Sequence, residues 1–176
     1  WKIEAAGKID ADIAVTKDDE FPDLPRFGVR MFLDKKLSAV RYFGMGPQES
    51  YCDKHQAASH GLYQANVDDL HEDYIRPQEN GSHYDCEYVE LNNSRYGIVV
   101  SAENVFSFNA SYYTQEELEE KTHNYELTES DSVVFCVDYA LNGIGSNSCG
   151  PVVLEQYRFD DVLFRFQFTL IPYIKG

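Results

Sequence analysis

In Val162-Leu-Phe-Arg-Phe-Gln-Phe-Thr-Leu170, large apolar side chains stand at every second position with mostly polar residues between them. Successive side chains of a β-strand point to opposite faces, so this spacing predicts a strand that turns its aromatic face towards a core. Residues 133–141 alternate in the same way. We therefore predict a β-strand at each of these two places.

The same periodicity appears in the first quarter of the chain. Residues 8–16 and 26–33 each place apolar side chains on one face, and a polar turn at residues 34–36 leads from the second run into an apolar run at residues 37–43. Two such runs joined by a tight polar turn are typical of a β-hairpin. We predict that the strands at 26–33 and 37–43 pair with each other.

The rest of the chain continues the β pattern. Residues 47–81 are polar and irregular and predict long loops around one or two short strands. Residues 84–91, 97–102 and 104–110 predict a meander with a short link at Glu103. Thr114 and Glu117 have the spacing of a helix capping box. Many short strands with one short helix predict an all-β fold, an antiparallel β-sandwich.

Size and charge limit the partners. The 176 residues, 43% of them hydrophobic, suit a single domain over residues 1–176. A formal net charge of −15 would repel a nucleic-acid backbone or an anionic membrane surface. No apolar run approaches the roughly 20 residues of a membrane span. We expect neither nucleic acid nor membrane as a partner.

Cysteine and histidine usage argues against a metal or disulfide scaffold. The cysteines Cys52, Cys86, Cys136 and Cys149 form no C-x-x-C pair, and the five histidines show no spacing typical of zinc ligands. Scattered thiols fit a reducing compartment. We expect a cytoplasmic protein without a metal site.

Two strands end in glycine-rich loops of one kind. These loops read Gly44-Met-Gly-Pro-Gln-Glu-Ser-Tyr-Cys-Asp53 and Gly143-Ile-Gly-Ser-Asn-Ser-Cys-Gly-Pro151. Glycine and proline end a strand and turn the chain. We therefore expect both loops at one end of one sheet structure.

Three further stretches stand in order with these loops. They are Leu24-Pro-Arg-Phe-Gly28, Arg76-Pro-Gln-Glu-Asn-Gly81, and residues 106–123 with Tyr112-Tyr-Thr-Gln-Glu-Glu-Leu118 at their centre. Over nearly the whole chain, the five stretches together resemble the C-terminal domain of large bacterial β-galactosidases of glycoside hydrolase family two.

The resemblance implies a galactose-mutarotase-like supersandwich, truncated at its N-terminal side. The chain starts at Trp1 and not at a methionine, so we expect it to be either processed or cut from a longer polypeptide, and the second fits a C-terminal fragment of a longer enzyme. The family's catalytic glutamates lie in a (β/α)-barrel domain that these residues do not contain. The implied function is that of a non-catalytic domain, inactive alone, of a retaining enzyme that hydrolyses terminal β-D-galactosides. No cofactor is implied in this fragment; the parent's Mg²⁺ and Na⁺ or K⁺ belong to other domains.

In the relatives, the second glycine-rich loop reaches the mouth of the active site and can present a tryptophan to the sugar. The matching residue here is Cys149, whose thiol cannot stack on a sugar ring. The resemblance implies that this loop contacts the galactoside, through Gly145, Ser146, Asn147, Ser148 and Cys149. The alternative is that Cys149 only packs inside a turn. In the first loop, where we favour a structural role, Ser50 and Lys54 replace the relatives' usual asparagine and arginine.

Three loop carboxylates, Glu49, Asp53 and Glu79, could be nominated as the acid and nucleophile of a retaining glycosidase. Carboxylates in loops more often cap backbone groups or face solvent, so we do not expect any of the three to be catalytic.

A second function stays open, that of an independent carbohydrate-binding β-sandwich module. The sole tryptophan, Trp1, argues against the flat aromatic face typical of such modules, whereas thirteen tyrosines argue for it. We expect a galactoside and the remaining domains of the parent chain as partners. Strand edges left unpaired by truncation predict homo-oligomers as well.

Overall fold

The computed structural model describes residues 1–18, 20–144 and 152–176. Nine antiparallel strands form one branched sheet: β1 Lys2–Ile3, β2 Ile9–Thr16, β3 Arg26–Asp34, β4 Ala39–Gly46, β5 Ser59–Asn66, β6 Ser82–Asn92, β7 Tyr96–Ser111, β8 Ser132–Leu141 and β9 Leu163–Ile174. The one α-helix described, α1, is Gln115–Glu120, and short 3-10 turns lie at Val67–Leu70, Asn124–Glu126 and Glu155–Tyr157. In this described part of the chain, no helix has the length and apolarity needed to cross a bilayer.

Strand β7 is the point at which the sheet branches. Residues 96–101 of β7 pair with β9, residues 107–111 pair with β8, and β6 pairs along the opposite edge of both parts. The path β1-β2-β9-β7-β6-β4-β5 therefore carries a side branch, β8-β3. Every pairing is antiparallel.

The side branch packs face to face on β9 through aromatic rings. Phe27 of β3 meets Phe164 of β9 edge to face, with ring centres 4.9 Å apart, and Tyr139 of β8 stacks on Phe164 at 4.7 Å. Phe164 and Phe166 are only 6% and 4% exposed. Burying one such ring contributes about 2–3 kcal/mol. This packing gives an open sandwich, so the prediction of an antiparallel all-β sandwich is confirmed.

The hairpin predicted for residues 26–43 is wrong. Its turn does form, because Leu37 N donates to Asp34 O at 2.9 Å. However, β3 pairs with β8, whereas β4 pairs with β5 and β6. The turn thus carries the chain from the side branch to the main path of the sheet. Alternation determines which side chains face the core, but it does not determine which strand lies alongside.

Residues 97–102 and 104–110, predicted as separate strands, belong to the single strand β7. Residues 103–105 are exposed, and in this short interval β7 exchanges β9 for β8 as its neighbour. The polar residues that suggest a link therefore mark a change of partner within one strand.

Only one of the two hydrogen bonds of the predicted capping box forms at the start of helix α1. Thr114 Oγ1 accepts a hydrogen bond from Glu117 N at 3.1 Å. Glu117 does not return the bond to Thr114; its carboxylate accepts from Thr128 N at 2.8 Å instead. The side chain thus ties the helix to the chain that follows it.

Candidate functional site

A buried ion pair lies at the end of the sheet where the five stretches that carry the family resemblance come together. Arg26 opens β3 and donates from Nε and Nη2 to the two oxygens of Asp138 in β8, at 2.8 and 2.6 Å. Its third nitrogen, Nη1, donates to Glu79 at 3.3 Å. Asp138 is 1% exposed. One guanidinium therefore joins β3, β8 and the loop before β6.

The strand register makes room for this pair. A bulge shifts the pairing between Phe27 and Gly28, and a Cβ built on Gly28 would lie 2.1 Å from Asp138 Oδ1. Burial alone would lower the pKa of Arg26, but the hydrogen bonds and charge of Asp138 outweigh it and raise that pKa. Burial raises the pKa of Glu79, and the Arg26 charge opposes this only in part.

Glu49 fastens the first glycine-rich loop to the stretch at residues 76–81. Its carboxylate accepts from Gly81 N at 2.8 Å and from Tyr51 Oη at 3.4 Å. It also accepts hydrogen bonds from Lys54 Nζ and from the hydroxyl of Tyr74. Burial would raise the pKa of Glu49, but the bonds from Lys54, Tyr74 and Gly81 together lower it. Glu49 is therefore held as a carboxylate.

Backbone and amide contacts complete this junction. Ser50 N donates to Ser82 O at 2.7 Å, and Ser50 Oγ accepts from Tyr84 N at 2.9 Å. Asn109 Nδ2 of β7 donates to Asn80 O at 2.5 Å. Four of the five stretches that carry the family resemblance, residues 24–28, 44–53, 76–81 and 106–123, are thus joined to one another or to β8.

The fifth stretch is joined through the start of the second glycine-rich loop. Ile144 N donates to Asp53 Oδ1 at 3.1 Å, and Cys52 Sγ donates to Leu141 O at 3.6 Å. The expectation that the two loops lie at one end of the sheet is confirmed for these flanking residues. The residues expected to contact the sugar, Gly145, Ser146, Asn147, Ser148 and Cys149, lie outside the described residues, so their role stays a prediction.

A cavity of about 310 Å³ opens beside this junction. We call it the Tyr139 cavity. Its lining comes from the first glycine-rich loop, the β6 bulge, β7, β8 and the segment before β9, and comprises Tyr51, Cys52, Tyr84, Asp85, Val105, Phe106, Ser107, Tyr139, Ala140, Leu141, Gln156, Tyr157, Arg158, Phe159 and Asp161. Sequence patterns did not predict it, because its lining depends on which strands are neighbours.

The three nominated carboxylates have structural partners. Glu49 and Asp53 accept backbone N–H groups, and Glu79 pairs with Arg26. These contacts give each of the three a structural role, and the expectation that none of them is catalytic stays a prediction. Asp138 was missed, although its position inside an apolar strand is a signal, since a buried carboxylate requires a partner.

Within residues 1–18, 20–144 and 152–176, no three histidine, cysteine, aspartate or glutamate side chains are grouped as metal ligands would be. Glu49, Asp53, Glu79 and Asp138 instead bind the protein's own amides and cations.

Comparison with known proteins matches this chain to one family. A family model described as the β-galactosidase small chain matches residues 1–170. The β-galactosidase of Actinobacillus pleuropneumoniae is 51% identical over 171 residues, which cover 97% of this chain and 17% of the relative. The β-galactosidase of Staphylococcus xylosus is 38% identical over 170 residues, with the same two shares. That of Kluyveromyces lactis is 32% identical over 168 residues, 94% of this chain and 16% of the relative. The chain thus spans 17% of the length of the first two relatives.

Proposed function

This chain belongs to the β-galactosidase small-chain family, and from that premise we propose that it is the non-catalytic C-terminal domain of a β-galactosidase. In this proposal the parent chain hydrolyses terminal β-D-galactosides with retention, and residues 143–151 contribute a loop to the mouth of its active site. The observation that carries the proposal is the junction of the two glycine-rich loops, where Asp53 accepts the amide of Ile144. A loop that contacts a substrate must be held in place where it leaves the sheet, and this hydrogen bond holds its first residues.

The chemistry at this end of the sheet supports positioning rather than catalysis. A retaining glycosidase needs two carboxyl groups about 5–5.5 Å apart, one as acid and one as nucleophile. Glu49, Glu79 and Asp138 instead hold Lys54, Arg26 and the Gly81 amide. We accordingly expect the purified 176-residue chain to release no product from a chromogenic β-galactoside. Turnover that survives rigorous purification would contradict this.

Alkylation of cysteines tests the loop's contact with substrate. The full-length enzyme is treated with iodoacetamide with and without a competitive galactoside inhibitor, and each cysteine is quantified by mass spectrometry. We expect the inhibitor to slow labelling of Cys149. Cys86 and Cys136, 0% and 2% exposed, are internal references that should stay unlabelled in both samples. Equal labelling of Cys149 in both samples would mean that the loop only turns the chain.

The second candidate, an independent carbohydrate-binding module, is favoured by the exposure of Trp1. Trp1 is 69% exposed as a residue, and its ring makes an edge contact with Phe168 at a centre-to-centre distance of 6.0 Å. An exposed indole is a suitable platform for a sugar ring. If this module exists, Trp1→Ala should abolish retention on immobilised galactan while Phe21→Ala, at another exposed aromatic, leaves it unchanged.

The remaining proposals concern partners and environment. We propose the other domains of the parent chain as partners, with Mg²⁺ and Na⁺ or K⁺ bound there, because the described residues do not fit a metal site. Cys52, Cys86 and Cys136 are free thiols, which supports a cytoplasmic location. We also propose that homo-oligomers form through exposed sheet surface.

A further inference from the structure

The Tyr139 cavity has the form of a small-molecule site. Its volume of about 310 Å³ lies at the lower end of the range of about 300–1,000 Å³ that ligand pockets occupy. Buried Phe106 and Phe159 line it beside the half-buried Tyr139. An open cavity of this size with an apolar floor suits one compact ligand.

The ring of Tyr139 is held in place. It stacks on Phe164 with ring centres 4.7 Å apart and lies 5.8 Å from the ring of Phe159. Burial raises the pKa of Tyr139, and the nearby Asp161 carboxylate adds to this effect, so the hydroxyl stays protonated. A fixed aromatic ring with a hydroxyl donor offers both an apolar surface and a polar end to a ligand.

Planar polar side chains stand around this floor. Asp85, Gln156, Arg158 and Asp161 contribute to the lining. The Arg158 side chain donates from Nε to Val153 O at 3.1 Å, its one side-chain hydrogen bond to the described residues, which orients the guanidinium and leaves both Nη groups as donors. Asp85 adopts φ 57 in the β6 bulge, where its carbonyl contacts His60 Nε2 at 3.1 Å.

Charge selects among ligands. The described rim carries two carboxylates, Asp85 and Asp161, and one guanidinium, that of Arg158. The chain has a net charge of −15. Phosphorylated or carboxylated ligands are therefore repelled. A neutral ligand with several hydroxyl groups can donate to the carboxylates, accept from the guanidinium and place its C–H surface on the aromatic floor.

We propose that the Tyr139 cavity binds a neutral pyranose, with Tyr139 against the apolar face of the sugar and Asp85, Arg158 and Asp161 hydrogen-bonded to its hydroxyl groups. This goes beyond the proposed function and does not depend on whether residues 143–151 contact the substrate.

The test uses Cys52, which lines the cavity, as a local reporter in the full-length parent protein. Burial raises the pKa of the Cys52 thiol, so its reaction with iodoacetamide should be slow and easily timed. Methyl β-D-galactopyranoside and methyl β-D-glucopyranoside are titrated as probes, and at least one should slow labelling of Cys52 in a saturable way. Methyl galacturonide, an anion, should protect much more weakly.

A matched pair of variants identifies the site. Asp161→Ala should raise the concentration for half-maximal protection about ten-fold, because hydrogen bonds to a charged group are lost. Asp160→Ala, an exposed neighbour that is not among the described lining residues, should leave it unchanged.

Three outcomes would overturn the proposal: no protection by either neutral sugar, equal protection by the galacturonide, or a Cys52 that is unlabelled even without sugar because the rest of the polypeptide fills the cavity. Protection of Cys149 without protection of Cys52 would support the loop function and refute this site. Protection of Cys52 without protection of Cys149 would support this site and refute the loop function.

Discussion

Removing the guanidinium of Arg26 leaves the Asp138 carboxylate buried without a positively charged partner among the described residues. Arg26 contacts both Asp138 oxygens, and Asp138 is 1% exposed. Breaking a buried ion pair on one side costs about 3–5 kcal/mol, because the remaining charge stays desolvated. We expect Arg26→Ala to lower the free energy of unfolding by about this amount, as measured by urea titration.

Arg30→Ala is the matched control on the same strand. Arg30 pairs with Glu116 at 2.8 Å, but the two side chains are 38% and 67% exposed. Surface pairs contribute about 0–1 kcal/mol. Equal losses for the two arginine variants would show that the buried pair does not stabilise this end of the sheet. The double variant Arg26→Met with Asp138→Leu removes both charges and should recover much of the loss.

His83 predicts a pH dependence. It is 1% exposed between Tyr42 and Phe108, and burial lowers its pKa from 6.5 to about 4 despite its Nδ1 bond to Met45 O. The unfolded chain therefore binds the proton first on acidification, and stability is lost as the pH falls from 6.5 towards 4, by about 3 kcal/mol. His83→Phe should remove this part of the slope in unfolding titrations. His123→Phe, at a 57% exposed side chain, should retain it, and identical slopes in both variants would refute the assignment.

The sequence could predict that single buried polar side chains need partners, but it could not predict which residues those partners are. Asp138 lies within an apolar alternation, which indicates that its carboxylate must be paired. Its partner lies 112 positions away in sequence, and it becomes adjacent only because β3 pairs with β8. No local pattern contains that information.

Among the elements, the link into β6 depends on one glycine. Gly81 has φ +72, and a Cβ there would lie 2.3 Å from Leu70 O. The same residue donates the amide that Glu49 accepts. We expect Gly81→Ala to destabilise the protein by more than about 1 kcal/mol, through strain and loss of this contact. Gly61→Ala in β5, where the closest atom to an added Cβ lies at 3.3 Å in the Tyr63 side chain, should lower the free energy of unfolding by less. Thermal unfolding of both variants measures the two losses. Equal costs would contradict this account.

Strand positions follow from alternation, but strand neighbours do not. The strands at 9–16, 133–141 and 163–170 could be predicted because large apolar side chains alternate along each of them, although residues 133–138 are buried on both faces. The hairpin failed because the turn at residues 34–36 joins different parts of a branched sheet, and β7 was divided because its polar residues mark a change of partner. Pairing depends on the packing of distant segments, as the aromatic contact between β3 and β9 shows.

For the whole molecule, the branched sheet explains why the recognised stretches are dispersed in sequence yet adjacent in space. Each branch ends near the same junction, where Arg26, Glu49 and Asp53 form hydrogen bonds to residues in loops that belong to different strands. The resemblance could place these stretches in one domain, but only the register of β3 with β8 brings Arg26 to Asp138.

The outer surface of the sheet has an open strand edge beside an apolar row. Within the described residues β5 pairs only with β4, so its other edge is open, and Leu62 of β5 is 52% exposed. Register places Leu62 beside Phe43 and Phe43 beside Tyr88, an apolar row across three strands. Open edges and apolar patches favour association. We expect the 176-residue chain to self-associate as its concentration rises in sedimentation velocity runs. Leu62→Glu should weaken this association, whereas Gln64→Glu, which adds the same charge on the same face of the same strand, should weaken it far less. A wild-type chain that stays monomeric, or two variants that behave alike, would show that this row is not the contact surface.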